Sequence, residues 1–249
     1  MEAYRPAGTK SRLEVRREDA AMSTGAFGTV YPARVRSAHS NRNTLGLPAV
    51  VKKIHVERAF TLDRVKELLS MFDKIRKAGI PTMGFFRGEV IDGEASFVVS
   101  DLSEEGKYLV LSANNVHHVV KPESVKRIDR LQQLVQQMCV IALQGAQTRL
   151  QASPDAYLFR FDPNVYARNN VLKAHDVFLG DFDRMKEVST IFPPDELLRT
   201  NLIQIIKAFD SFVDLYVMRT ADQEKRRCKI LVLKTVQAFG KKHNLSITV

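Results

Sequence analysis

The chain has 249 residues, 45% of them hydrophobic, so it can bury a core and its composition is not that of a disordered protein. Thirty-eight Lys and Arg residues against 28 Asp and Glu give a formal net charge of +10, which favours acidic partners such as nucleotide phosphates or nucleic acid. No apolar run approaches the roughly 20 residues that span a bilayer, and the N-terminus lacks the apolar segment of a signal peptide. We therefore expect the protein to be cytoplasmic. If it is a viral protein or a secreted effector, the cytoplasm would be that of a host cell.

Strand-like segments fill the first hundred residues. Two β-rich stretches within 12–36 flank a glycine-containing turn at 23–28, and the β-branched run at 48–56 predicts a third strand. Helical spacing then follows from residue 61 until Gly79, Ile80 and Pro81 end the helix. Two more short strands are predicted at 84–91 and 95–99.

Helical patterns dominate the remainder of the chain. We predict helices at 123–150, 195–218 and 224–240, separated by an irregular segment at 153–189. The two cysteines, Cys139 and Cys228, fall in helical segments, so reduced buried thiols are expected rather than a disulfide or a metal site. The chain is divided into a basic N-terminal arm at 1–18, a β-rich lobe at 19–102 and a helical lobe at 103–249.

The glycine-containing turn carries the first chemical signal. In Ser23-x-Gly25-x-x-Gly28-x-Val30 the glycines let backbone N–H groups approach phosphates. A dinucleotide-binding turn would be followed by a helix, whereas a strand is predicted here, and the Gly-Lys-Ser/Thr ending of a P-loop is absent. The spacing resembles the G-x-G-x-x-G-x-V hairpin of the protein-kinase superfamily, with Ser23 at the first glycine position.

A second motif strengthens this resemblance. Residues 49–54 (AVVKKI) resemble the kinase strand whose lysine pairs with the ATP phosphates, and Lys52 occupies the matching position. The resemblance implies an α+β, bilobal kinase-like fold, with a small antiparallel sheet plus one helix in the first lobe and a mainly helical second lobe. Only 68 residues follow Asp181, so we expect a second lobe that is smaller than in ordinary kinases. The chain thus resembles a minimal or degenerate member of the protein-kinase superfamily.

The resemblance also implies where the nucleotide binds. Glu67, or alternatively Glu57, would orient Lys52, and residues 97–102 (FVVSDL) are similar to the strand whose backbone holds adenine, with Val99 as gatekeeper. The implied contacts to ATP are Ser23, Gly25, Phe27, Gly28, Val30, Val50, Lys52, Val99, Asp101, Leu102 and Leu172.

The metal ligands and the general base are implied by later motifs. Residues 170–172 (NVL) and 177–183 (VFLGDFD) are similar to the catalytic-loop N-I-L and to D-F-G, so Asn170 and Asp181 would hold Mg²⁺. The family's catalytic aspartate falls at Val165, which cannot accept a proton. An alternative register makes Asp162 the base, although Asp162 also suits a turn before Pro163.

These residues imply ATP- and Mg²⁺-dependent phosphoryl transfer to Ser or Thr hydroxyls of proteins. Two alternatives remain open: a catalytically impaired pseudokinase that acts as a protein-interaction module, and a small-molecule phosphotransferase. We expect a protein substrate or a regulatory protein as partner. Basic residues cluster near both ends of the chain, and nucleic acid is a less favoured partner for them.

Overall fold

A computed structural model describes residues 2–4, 13–25, 28–37, 47–54, 62–91, 94–102, 107–113, 120–180 and 185–248. The chain divides into two compact units. The first comprises Met1–Asp73 and Met83–Glu104, and the second comprises Lys74–Thr82 and Glu105–Val249. The α+β class predicted from the sequence is confirmed, because strands dominate the first unit and the long helices lie mostly in the second.

An antiparallel seven-stranded sheet forms the first unit. Its strands are β1 (Glu2–Tyr4), β2 (Leu13–Arg17), β3 (Ser23–Gly25), β4 (Gly28–Ser37), β5 (Leu47–Ile54), β6 (Phe85–Ile91) and β7 (Glu94–Ser100). The strand order is β1-β6-β7-β5-β4-β2, and β3 also pairs with β4. All strands predicted in this part of the chain are confirmed, and residues assigned to the N-terminal arm contribute β1 and β2.

The two faces of this sheet are covered differently. On one face a cluster of small and branched side chains is buried, and partly buried neighbours pack against it; its buried members are Ala33, Val35, Ala49, Val51 and Val98. On the other face lies α1 (Leu62–Lys77), the predicted helix, whose Phe72 ring lies 5.6 Å from that of Phe85. The helix stops before Gly79, which has a φ of +69° that favours glycine.

Three long helices pack against one another in the second unit. They are α2 (Leu131–Gln147), α4 (Pro194–Tyr216) and α5 (Asp222–Lys242), and a short helix, α3 (Pro163–Asn169), lies between strands. The predicted helices at 195–218 and 224–240 are therefore confirmed. Both cysteines are buried and free, as predicted, and burial raises the pKa of Cys139 and of Cys228 to about 12.

Small sheets complete the second unit. Its strands are β8 (Leu109–Ser112), β9 (Arg127–Asp129), β10 (Leu150–Ala152), β11 (Tyr157–Phe161), β12 (Val171–Leu179) and β13 (Met185–Glu187). Four of them form a sheet in the order β8-β11-β12-β9, with β9 parallel to β12, and β10 pairs with β13. Aromatic rings of β11 pack on α4, with Phe159 stacked 5.1 Å from Phe209.

The helix predicted at 123–150 is too long at its N-terminus. The observed helix begins at Leu131, because Arg130 has a left-handed φ of 58° and residues 127–129 pair with β12. Val125 and Ile128 fit the three- and four-residue spacing of the apolar side chains in this helix, yet both are fully buried outside it. Val125 forms a bridge with Val217 and Ile128 lies in β9, so their spacing imitated a helix.

Side chains pair with strand backbone at two places in the second unit. The Gln137 amide donates to the carbonyl of His175 (3.2 Å) and accepts from the N–H of Val177 (3.1 Å), both in β12. At Ile128 the Glu224 carboxylate accepts from the backbone N–H (3.0 Å), while Arg227 donates to the carbonyl (2.9 Å). Both arrangements satisfy partly buried backbone groups that a neighbouring strand would otherwise pair.

The Glu224 carboxylate is the electrostatic centre of the second arrangement. Burial by itself would raise the pKa of Glu224, but hydrogen bonds from Arg227, from the Ile128 N–H and from Cys228 outweigh it and lower this pKa. Arg227 donates to both carboxylate oxygens at 2.6 Å, and the same hydrogen bonds raise the pKa of Arg227.

We expect Glu224→Gln to lower the free energy of unfolding at pH 7 by about 1–2 kcal/mol, because the charge-assisted bonds are weakened. The folded-state pKa of Glu224 is lowered, so its stabilisation is complete above the unfolded pKa of about 4.3 and is lost as the pH falls through the folded pKa. Urea denaturation of the wild type and of Glu224→Gln at several pH values measures the difference in their free energies of unfolding. A difference that stays constant down to about pH 2 would contradict a role for the charge.

Candidate functional site

One face of the first unit's sheet brings together four of the predicted nucleotide contacts. Val30 in β4 lies opposite Lys52 in β5, and Val50 in β5 lies opposite Val99 in β7. Directly opposed residues share a face of a sheet, and so do alternate residues along one strand. Val30, Val50, Lys52 and Val99 therefore lie on the same face.

Burial varies across this shared face. Val99 is 5% exposed, whereas Val30, Val50 and Lys52 are half-buried. Lys53, the next residue along β5, belongs to the opposite face by the same alternation. The shared face thus combines partly exposed apolar side chains with one lysine. Apolar side chains suit contact with an aromatic ring, and a lysine ammonium suits contact with a phosphate.

The two strands predicted around the glycine-containing segment pair with each other in antiparallel orientation. Gly25 at the end of β3 pairs with Gly28 at the start of β4, and Ser23 lies opposite Val30. A strand follows Gly28, as predicted, whereas a dinucleotide-binding turn would be followed by a helix. Phe27 lies outside the described residues.

The predicted adenine-binding segment continues directly from β7. Asp101 and Leu102 are half-buried, and the Asp101 N–H donates to the carbonyl of Pro48 at 3.2 Å, which holds the segment beside β5. Glu67 is exposed on α1. Its pairing with Lys52 stays a prediction, and the competing Glu57 lies outside the described residues.

Asp162 and Asn170 lie at opposite ends of α3 in the second unit. Asp162 is the N-cap, and its Oδ1 accepts from the N–H of Asn164 (2.9 Å) and of Val165 (3.2 Å). Asn170 ends the helix with a left-handed φ of 55°. Eight residues of helical rise separate the two by about 12 Å, so a helix stands where the resemblance implies a continuous catalytic loop.

Of the two remaining site residues predicted in this part of the chain, Leu172 lies in the core and Asp181 lies outside the described residues. Leu172 is fully buried opposite Ile128 of β9. Asp181, together with Phe182 and Asp183, lies outside the described residues. Within the described part of the chain, no three His, Cys, Asp or Glu side chains are grouped closely enough to hold a metal ion.

Sequence reasoning missed the surroundings of Arg160. This arginine is 8% exposed, and its guanidinium carbon lies 4.7 Å from the ring centre of Tyr108 and 4.6 Å from that of Phe178. Phe178 and Asp176 also line an open cavity of about 470 Å³ between α2 and β12. None of the site residues predicted from the sequence lines this cavity, whose walls come from three separate segments.

No family model matches the chain, and no curated protein matches it. Among the helices of the described ranges, none is both long and apolar enough to cross a membrane.

The N-cap role of Asp162 can be measured directly. We expect Asp162→Ala to lower the free energy of unfolding by about 0.5–2 kcal/mol, since two N–H groups of α3 lose their acceptor. Asp162→Asn keeps a capping oxygen and should cost only a few tenths of a kcal/mol. Urea denaturation compares the three proteins, and equal losses for the two variants would argue against capping.

Proposed function

We propose that the protein is kinase-like, that it binds ATP together with Mg²⁺, and that phosphoryl transfer to protein Ser or Thr hydroxyls is impaired. The observation that carries the proposal is the shared face of Val30, Val50, Lys52 and Val99 in one antiparallel sheet. Four contacts implied by separate sequence motifs thus occur on one surface, although the motifs lie up to about 70 residues apart in the chain.

The order of elements adds independent support. A glycine hairpin (β3 and β4), the strand of Lys52 (β5), a helix (α1) and the strand proposed to hold adenine (β7) follow in this order along the chain, and the strands belong to one sheet. This is the sequence of elements that the kinase resemblance implies for a first lobe.

The chemistry assigned to each residue follows from its type. The Lys52 ammonium would neutralise phosphate oxygens, the hairpin glycines would let backbone N–H groups approach them, and Val30, Val50 and Val99 would contact the adenine ring. Asn170 and Asp181 would hold Mg²⁺, because this ion prefers amide and carboxylate oxygens. Bound Mg²⁺ supplies charge neutralisation at the phosphates.

Impaired transfer is proposed because neither of the two residues that the alternative registers place at the catalytic base suits that role. Val165 occupies the position of the family's catalytic aspartate, and the Asp162 carboxylate already accepts two backbone hydrogen bonds as the N-cap of α3. A protein of this kind would act through binding, as a nucleotide-dependent interaction module.

Nucleotide binding predicts a thermal shift. Mg²⁺-ATP at about 100 times its Kd stabilises the folded state by about 2.7 kcal/mol, which corresponds to a rise in Tm of about 5–11 °C for a chain of this size. Differential scanning fluorimetry should show this rise in the wild type and in Lys53→Ala, and little of it in Lys52→Ala. The proposal fails if Mg²⁺-ATP does not stabilise the wild type, or if Lys52→Ala keeps the full shift.

An active Ser/Thr kinase is the second candidate, because Lys52, Asn170 and Asp181 are present and phosphoryl transfer depends mainly on positioning and electrostatics. Transfer from labelled ATP to a panel of proteins and small hydroxyl compounds separates the candidates. We expect incorporation far below the about 1–100 s⁻¹ of ordinary kinases. Rapid transfer that Asp162→Asn slows by about 10²–10⁴ would instead establish an active enzyme with Asp162 as base.

A further inference from the structure

The net charge of the chain is concentrated at its C-terminal end. The last 25 residues contain seven Lys and Arg residues and no Asp or Glu, so they supply seven of the ten excess positive charges. Most of these residues lie on α5, which is anchored through its buried side chains Cys228, Val232, Thr235 and Val236. The helix is therefore held in a fixed orientation with its charged side outward.

A continuous stripe of exposed residues runs along the outer side of α5. Its members recur every three or four positions and thus share one helix face: Gln223, Arg226, Ile230, Lys234, Gln237 and Lys241. The stripe extends over about 27 Å, and its three cations are spaced by about two helical turns.

Within the part of the chain that the structure describes, the cations of this stripe have no acidic partner. Arg227 is paired with Glu224, and Lys229 with Asp214, on the sides of α5 that face the rest of the unit. By contrast, no carboxylate in the described parts of the chain lies within ion-pair distance of Arg226, Lys234 or Lys241. Their charges are thus left for an external acidic partner.

Ile230 indicates which class of acidic partner fits. It is 53% exposed and lies between Arg226 and Lys234 in the middle of the stripe. A nucleic-acid backbone would contact the cations and leave this apolar side chain without an apolar partner. A membrane-binding helix would need a wide apolar face, whereas Ile230 is the one large apolar side chain of the stripe.

We propose that this stripe is a docking surface for an acidic amphipathic helix of another protein. Such a helix would place carboxylates opposite Arg226, Lys234 and Lys241 and an apolar side chain against Ile230. Two helices that run side by side repeat their contacts at the same three- and four-residue intervals, which matches the spacing of the stripe. This surface is independent of the nucleotide site.

The test uses a fluorescent synthetic helix of about 20 residues with glutamates and leucines on one face, and its scrambled isomer, at about 50 and about 200 mM salt. Peptide binding to the full chain is measured by fluorescence anisotropy. We expect it to be at least about ten-fold weaker in the triple variant Arg226→Glu/Lys234→Glu/Lys241→Glu. The control is the charge-matched triple variant Lys107→Glu/Lys186→Glu/Lys207→Glu, which lies outside the stripe and should change the affinity for the peptide less than about two-fold.

The apolar contact has its own matched pair of variants. Ile230→Gln should weaken peptide binding about five-fold, and Val140→Gln, at a helix residue that is 47% exposed, should have no effect. The proposal is overturned if the peptide does not bind, if the scrambled isomer binds equally well, or if Ile230→Gln leaves the affinity unchanged. Tighter binding to duplex DNA than to the peptide would overturn it too.

Discussion

Strand β5 is hydrogen-bonded along both edges, to β4 and to β7, and this double pairing determines which residues of the first unit share a surface. A slip of one residue in either register would move Lys52 to the opposite face from Val30 or from Val99. The buried cluster around Val51 and Val98 opposes such a slip, because it would carry apolar side chains out of the core. The proposed nucleotide site thus depends on the same packing that stabilises the sheet.

In the second unit, some backbone groups of the strands form hydrogen bonds with side chains instead of with a neighbouring strand. Gln137 occupies the edge of β12, and Glu224 together with Arg227 pairs with Ile128 of β9. Both contacts tie a helix to a strand through backbone groups, so the positions of α2 and α5 are linked to the small sheet. The anchoring of α5 by Glu224 in turn fixes its outer, basic side.

The sequence predicted most strands of the first unit and the four longer helices, because their apolar residues follow periods of two or of three to four. The segment 153–189 was predicted to be irregular, which is wrong, because it contains β11, α3, β12 and β13. The prediction also failed before Leu131, where Val125 and Ile128 continue a helical spacing although Arg130 breaks the helix with a left-handed conformation. Local motifs also identified Val30, Val50, Lys52 and Val99 separately. Their shared face, the capping role of Asp162 and the pairing by Gln137 depend on contacts between distant segments, which periodicity does not encode.

The face assignment of Lys52 is tested most directly by affinity labelling with an ATP derivative whose terminal acyl phosphate acylates nearby lysines. Lys52 and Lys53 are adjacent in the chain but lie on opposite faces of the sheet, so one serves as the control for the other. Peptide mapping by mass spectrometry should find Lys52 acylated, excess ATP should suppress this, and Lys53 should remain largely unmodified. Equal labelling of both lysines, or labelling of Lys52 that ATP does not suppress, would contradict a nucleotide site on this face.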